Sequence, residues 1–564
     1  MNLKNEKGIA LIMTLFIVVI LIGYSAVFVL RTVHESRMAK KERDALKVFY
    51  ISEGATEAAL AQLDTLINTD MMNTVNAMNP STVVTLAQNN LTDGINFLIS
   101  TVKNGGTAQF TLNGTQAEHN VGTTALGGGS YQFNLIVTEK TNPIVVTPDT
   151  WDFPYFYRIQ STGTAEGLNK NLVLSGDFVV RVQRDNFAKY ALFTNTQTTP
   201  GGSNVWFTDK TNFDGPVHTN GRFNFAFNPS GEFNGAVVQY EQLARFYNNG
   251  SSVLIDADSN GSTDVPTFNA GFNRNQPAIT LSSPVAEQDM IDQATGNQSF
   301  ATDGIYVPYS GTNLVGGIYV RGDSNITLSV DGNNNAVYTI TQGGSTKTIT
   351  VDKVNNQTTV DTAGVGAVTY AGLPDGVDDV GTVIYAQGNI NSIGGTVQQD
   401  TALTIASQDN IVITNHLLYA NYTAGSGTPG GAGYVPPTAN GADNLLGLVS
   451  WNGNVEIGTS APDDINVHST ILAKAGVFTV DNYNDWGVGP RGTATLLGGV
   501  ISDDYGAFGQ FNGSTGQQGS GYGRNFVYDE RMETGSAPPY FPSLNTFIAS
   551  TNDITDKKIW QDGS

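Results

Sequence analysis

The chain contains no cysteine. That excludes a disulfide framework and thiolate chemistry, so a chain of 564 residues must be held together by its cores. Charge is scarce as well. Asp, Glu, Lys and Arg make up 14 % of the residues, against about a quarter in ordinary globular chains. Lys and Glu thin out beyond residue 60, and the five histidines are scattered. The chain has no HExxH pair, serine-nucleophile elbow or P-loop, which removes the metalloprotease, elbow-hydrolase and nucleotide-triphosphatase readings those motifs would carry.

Gly (64 residues), Asn, Thr and Val are abundant instead, and hydrophobic residues reach 40 %. This is the composition of a turn-rich β domain rather than of disorder, and the length suits two or three domains. The formal net charge is −22, with residues 1–47 contributing +4 and the rest −26. An exterior this acidic repels nucleic-acid phosphates and suits an extracellular surface that attracts divalent cations.

The longest uncharged run is Gly8 to Leu30, GIALIMTLFIVVILIGYSAVFVL, long enough to cross a bilayer as a helix. A short leader with Lys4 and Lys7 precedes it. RTVHESRMAKKERDALKVFYISEGATEAALAQL follows and keeps helical character, with no Pro and one Gly. A cleavable secretory signal normally ends in a small-residue cleavage site and leaves helix. Here the helix continues, and one helix is expected over 9–66, roughly 85 Å long. Leu46, Phe49, Tyr50, Ala55, Ala59, Leu60 and Leu63 recur three and four apart as an apolar stripe. The expected role of that stripe is to dock on the chain's own sheet.

These first sixty residues resemble type IV pilin-like proteins, specifically the PilX-type minor pilins. The resemblance implies prepilin peptidase cleavage after Gly8, with Ile9 as the mature N-terminus. It also implies an assembly helix in which Phe49, Glu53 and Glu57 take the places of the family's Phe/Tyr and Ala-Glu-Ala-Ala-like residues. Major pilins carry a Glu five residues after the cut; this chain has Met13 there, which points to a minor or tip subunit. The implied partners are other pilins, the pilus assembly machinery, prepilin peptidase and the inner membrane, with a surface glycan as a further possible ligand. The implied location is the inner membrane before assembly, then the cell surface in an extracellular pilus, in a role of assembly, tip formation or adhesion.

The expected fold class is α+β: a pilin helix with a small antiparallel sheet, then a mainly-β, β-solenoid-like domain. The boundaries are a leader at 1–8, the helix at 9–66, a pilin-like α+β head at 67–184 and a distal domain at 185–564. Within the head, 67–128 suggests short helices, and strands begin at Ser130, Phe156 and Asn171, the last two forming a hairpin. Beyond Asp185, runs such as GIYVRG, TVIYAQGNI and INVHSTILAKAGVFTV alternate with Gly/Asn/Asp turns, the texture of stacked parallel rungs. A β-sandwich is the alternative. Residues 325–354 suggest a protruding meander, 420–443 a Gly/Pro-rich loop, and the tail from Pro538 an extended segment against the rungs.

Asp256, Asp258, Asn260 and Asp264, with Gly261 at the turn, match the first part of a calcium loop. The closing bidentate Glu is missing, so the expectation is a structural Ca2+ completed from elsewhere, or else a solvated acidic turn. His218 in GPVHTNG has no His or Cys companion, and a tight corner explains it. The pairs Asp378–Asp379, Asp463–Asp464 and Asp503–Asp504, with Arg491 and Arg524 near them in sequence, raise the alternative of a membrane-tethered polysaccharide hydrolase or lyase. Turn aspartates between rungs explain the pairs more simply. The expectation is therefore not an enzyme.

Overall fold

The computed structural model describes residues 4–102, 110–147, 149–208, 211–227, 231–248, 250–281, 283, 285–429, 433–439, 444–511, 517–551, 554 and 559–563. The fold class is α+β, with one long N-terminal helix and a large strand-rich remainder. The chain divides into two units, Met1–Gln183 with Phe547–Ser564, and Arg184–Thr546.

In the first unit, α1 (Lys4–Thr65) has 62 residues, about 93 Å at the α-helical rise. A wide turn over Leu66–Met71 leads into α2 (Met72–Ala77), then α3 (Pro80–Asn89) and α4 (Gly94–Val102). Asn79 starts α3: its side chain accepts a hydrogen bond from the Ser81 amide and Pro80 supplies the first helical residue. The sheet runs β1 (Thr111–Asn113), β2 (Gln116–Leu126), β3 (Gly129–Glu139), β5 (Thr150–Ala165) and β6 (Leu168–Asn186), with β4 (Ile144–Thr147) beside β5. Beyond β6 it is completed by Ser543–Thr551 and Ile559–Gly563.

The expected hairpin is present: β5 and β6 pair along their length and turn at Glu166 and Gly167, both at positive φ. The β1–β2 hairpin was not anticipated, because TLNGTQAEHNVGTTAL alternates weakly. The C-terminal return also differs from the boundary at 185–564. It is held by an aromatic contact and a buried hydrogen bond: the Phe547 ring meets buried Trp151 at 5.9 Å, and the Tyr157 hydroxyl donates to the Ile554 carbonyl at 3.1 Å.

The second half of α1 seats on β3 and β5. Val48, Ile51, Ala55, Ala59, Leu60 and Leu63 are buried there, whereas Leu46, Phe49 and Tyr50 are exposed. The expected stripe is therefore rotated at its start. Approach is close because the sheet is small-sided beneath the helix. At Gly163 a Cβ would lie 2.7 Å from both the Ser52 nitrogen and the Val48 oxygen. Ser161 Oγ donates to the Ser52 carbonyl at 3.0 Å and lies 2.7 Å from Thr56 Oγ1, so the buried hydroxyls satisfy one another.

In the second unit two series of strands pair in parallel, alongside antiparallel hairpins and a meander. One ladder runs in register from Ile318–Arg321 through Thr382–Gln387, Ala402–Ser407, Leu445–Ser450, Asn466–Ala473 and Pro490–Ser502. It continues through Leu192–Thr194, Val217–Thr219 and Val237–Gln239 to Phe272–Asn273. Ladder order is not chain order. The strands of 192–273 form one end and those of 318–502 the other, meeting where Val500–Ser502 lies beside Leu192–Thr194. The segment between them, carrying α5 (Glu287–Thr295), returns along the ladder. Asn220 pins it by a two-way bond with the Ile279 backbone (2.6 and 2.8 Å), and Tyr385 OH donates to Glu287 at 2.5 Å.

A second parallel series joins Ser324–Val330, Ile390–Val397, Ile411–Tyr419, Val455–Ile457 and Phe478–Val480. At its turns each side-chain oxygen accepts the amide of the next layer. Asp323 takes the Asn389 amide (2.8 Å), Asn389 that of Asn410 (3.2 Å), Asn410 that of Asn454 (2.8 Å) and Asn454 that of Val477 (3.0 Å). Phe526, Phe213, Phe233 and Phe268 form a core column with centroids 5.7, 5.8 and 5.2 Å apart. The meander is longer than expected, Ser324–Ala371, and its first strand also belongs to the parallel series. Thr423–Thr438 and Ser426–Val435 bridge across the Gly/Pro-rich loop, of which 430–432 and 440–443 lie outside the described residues. The tail lies against the ladder, where Thr404 Oγ1 donates to the Pro539 carbonyl.

Candidate functional site

The most unusual surface is α1 itself. From Gly8 to Arg43 every residue is exposed, and the helix is apolar enough to cross a membrane. Ile9 is 60 % and Met13 64 % exposed. A bare apolar surface of this length is compatible with a membrane anchor or a signal sequence. Of the four assembly-helix residues, Phe49 is exposed beside Tyr50 (5.8 Å, edge to face), Glu53 is half-buried and Glu57 is exposed. Neither glutamate pairs with a cation among the described residues. Lys47, one turn earlier, anchors the helix to the β5–β6 turn through Glu166 and to the Gly128 carbonyl, both at 3.2 Å.

The four residues of the calcium-like loop are committed to protein partners. Arg274 bonds Asp256 at 2.8 Å and Asp258 at 2.6 Å, and its guanidinium lies 4.8 Å from the Phe272 ring. Those bonds hold the Asp256 carboxyl below the usual carboxylate range. Asn260 Oδ1 accepts the amides of Ser262, Thr263 and Asp264, and its Nδ2 donates to the Tyr247 carbonyl (2.9 Å) and Asp264 (2.7 Å). Asp264 is buried, accepts the Phe227 amide at 2.9 Å, and is pushed up to about 6 by desolvation. An arginine thus sits where a cation would, and the set does not fit Ca2+ as arranged. Among the described residues no cluster of three or more His, Cys, Asp or Glu could hold a metal ion.

The acidic pairs are turn residues. Asp463 pairs with Arg491 at 3.1 Å, and Asp464, at positive φ, accepts the Thr493 amide at 2.8 Å. Asp503 accepts from Asn195 Nδ2 at 2.9 Å and Asp504 from Thr196 Oγ1. Asp378 accepts the Val380 amide at 3.2 Å and the Tyr540 hydroxyl. Arg524 packs over the Tyr505 ring and donates to its hydroxyl, rather than facing Asp503. His218 is buried, stacks on Phe193 at 5.1 Å and lies 3.0 Å from Asn220 Oδ1; burial lowers its pKa. Among aromatics of the same region, Trp451, Tyr505 and Tyr522 are buried, while Trp486 is exposed.

An open groove of about 550 Å3 was not anticipated from the sequence. It lies between the C-terminal ends of ladder strands and the returning segment Ala278–Leu281, and Lys474, Asp503, Asn195, Asn220 and Tyr240 line it.

A family model described as a domain of unknown function (DUF4900) matches residues 151–239, from β5 to the end of the strand Val237–Gln239. That stretch contains the GPVHTNG corner. No curated protein and no solved structure matches the chain.

Proposed function

We propose that this chain is a membrane-anchored, pilin-like surface subunit of the PilX minor-pilin type, contributing to pilus assembly, tip formation or adhesion. The observation that carries the reading is the division of one helix into two halves. Its first half is bare and apolar, and its second half is the core of a sheet unit. A signal sequence that is removed has no need of rigid continuity with a folded unit; a helix that must both sit in lipid and carry a head does. On this reading α1 holds the protein in the inner membrane until assembly, and prepilin peptidase cuts between Gly8 and Ile9.

The second unit is then displayed outside the cell, and we read its in-register parallel ladders as β-solenoid-like. A unit of this size repeated at every subunit would crowd a packed fibre, which together with Met13 favours low copy number or a tip position. A structural and binding role is favoured over catalysis, because the acidic pairs sit in turns, where they hold neighbouring side chains and backbone amides.

The test is the mass of the N-terminal peptide of membrane-extracted protein, wild type beside Gly8→Val. A start at Ile9, lost in the variant, is the expected result. A start at Met1 in both would leave a plain anchor and overturn the pilin reading.

A further inference from the structure

The ladder register places five side chains from five neighbouring strands in one line. Ala473 is paired with Ser502, Ser502 with Thr194, Thr194 with Thr219 and Thr219 with Gln239. The residues that follow these five, Lys474, Asp503, Asn195, Asn220 and Tyr240, therefore stand on successive rungs. With strands about 4.8 Å apart, the line is about 19 Å long. All five border the 550 Å3 groove, whose other wall is the returning segment Ala278–Leu281. The volume is within the usual range for ligand clefts, about 300–1,000 Å3.

The middle of the line is rigid. Asn220 Nδ2 donates to Asn195 Oδ1 at 3.0 Å, Asn195 Nδ2 donates to Asp503 at 2.9 Å, and Asn220 also holds the Ile279 backbone. The ends present free groups. The Lys474 ammonium lies 4.8 Å over the Trp451 ring with no hydrogen-bond acceptor among the described residues, and Tyr240 is 48 % exposed. Together the line offers one ammonium, the open lone pairs of the Asp503 carboxylate, the remaining amide hydrogen of Asn195 and an exposed aromatic face.

We propose that this groove binds an extended, hydroxyl-rich chain, a neutral oligosaccharide. An elongated cleft with mixed donors and acceptors suits a ligand that repeats hydroxyl groups along its length, and an aromatic face suits the apolar side of a sugar ring. The alternatives fit less well. A polyanion meets a chain of net charge −22. A metal ion finds a single carboxylate, and a lipid finds a polar wall. The proposal gives a ligand class to the displayed unit of the proposed function.

The experiment is calorimetric titration of the full-length chain in detergent micelles with cellohexaose, chitohexaose and xylohexaose, with heparin as the polyanionic comparison. At least one neutral hexasaccharide is expected to bind, and heparin is not. Tyr240→Ala is expected to weaken binding about tenfold, the order of one lost aromatic contact, with Lys474→Ala weakening it as well. Both side chains are exposed, and an unchanged melting curve for each variant confirms that the fold is intact. Absence of binding by all three sugars, binding of heparin alone, or affinity unchanged in both variants would overturn the proposal. Because binding is read on the whole chain whether or not residues 1–8 have been removed, its failure is separate from failure of the pilin reading.

Discussion

The seat of α1 on its sheet can be broken by a single methyl group. Gly163 lies in β5 at a φ open to any residue, so Gly163→Ala introduces no backbone strain and should gain a little from strand propensity, about 0.5–1 kcal/mol. Against this, the new Cβ would sit 2.7 Å from Val48 O and 2.7 Å from Ser52 N. Both are backbone atoms of a helix that is itself bonded to the strand through Ser161, so they cannot swing aside as a side-chain tip would. Overpacking costs about 1–3 kcal/mol, and against backbone atoms that cannot yield the cost lies in the upper part of that range, about 2–3 kcal/mol, leaving a net loss of about 1–2 kcal/mol. At an m-value near 2 kcal/mol/M in urea, the midpoint for the first unit should fall by about 0.5–1 M. Pulsed hydrogen exchange along a urea titration, read on β5 and Val48–Leu63 peptides, measures this. Gly122→Ala is the comparison, because no heavy atom lies within 4 Å of its added Cβ. If Gly163→Ala unfolds at the wild-type midpoint, the close seat of the helix is not what holds it.

Two further outcomes follow from buried and paired charges. Burial holds the His468 imidazole at about 3, below its ordinary 6.5. Between those values the unfolded chain takes up a proton that the folded chain refuses. The stability is fully present above pH 6.5 and is lost as pH falls toward 3, with a slope approaching about 1.4 kcal/mol per pH unit. His468→Gln should flatten that part of the profile of urea midpoint against pH; an unchanged slope would assign the titration elsewhere. At the calcium-like loop, wild-type protein should melt at the same temperature with millimolar Ca2+ or with chelator, because Arg274 already occupies the carboxylates. Arg274→Ala should lower stability by no more than about 1 kcal/mol, the range for exposed ion pairs. A Ca2+-dependent rise in the wild-type melting temperature would contradict this assignment.

Much of the fold was legible from local composition. The α1 helix, the short helices after residue 70, the β5–β6 hairpin and the meander each announce themselves within a few dozen contiguous residues. The start of the buried stripe was misplaced because Leu46, Phe49 and Tyr50 satisfy helical periodicity as well as Val48 and Ile51 do. Periodicity identifies a stripe, but which side can approach is selected on the sheet, by Gly163 and by Gly129, where an added Cβ would lie 2.6 Å from Ile51 Cδ1. The acidic loop was legible as acidic, but its partner Arg274 is 18 residues from Asp256, and a spacing rule has no place for a competing guanidinium.

What the sequence alone determined is the bare membrane-length helix, the acidic exterior and the turn-rich β character. These are sums over contiguous residues, so no partner has to be known. What only the tertiary structure decided is which ends meet. The C-terminal strands return to the first sheet, the ladder joins Val500–Ser502 to Leu192–Thr194, and Asp503 bonds Asn195 across 308 residues. Strands of two or three residues carry no period of their own, and parallel pairing is set by side-chain columns that form only when distant segments stack. The groove built at that junction is therefore a property of the stack, and no single stretch of the chain contains it.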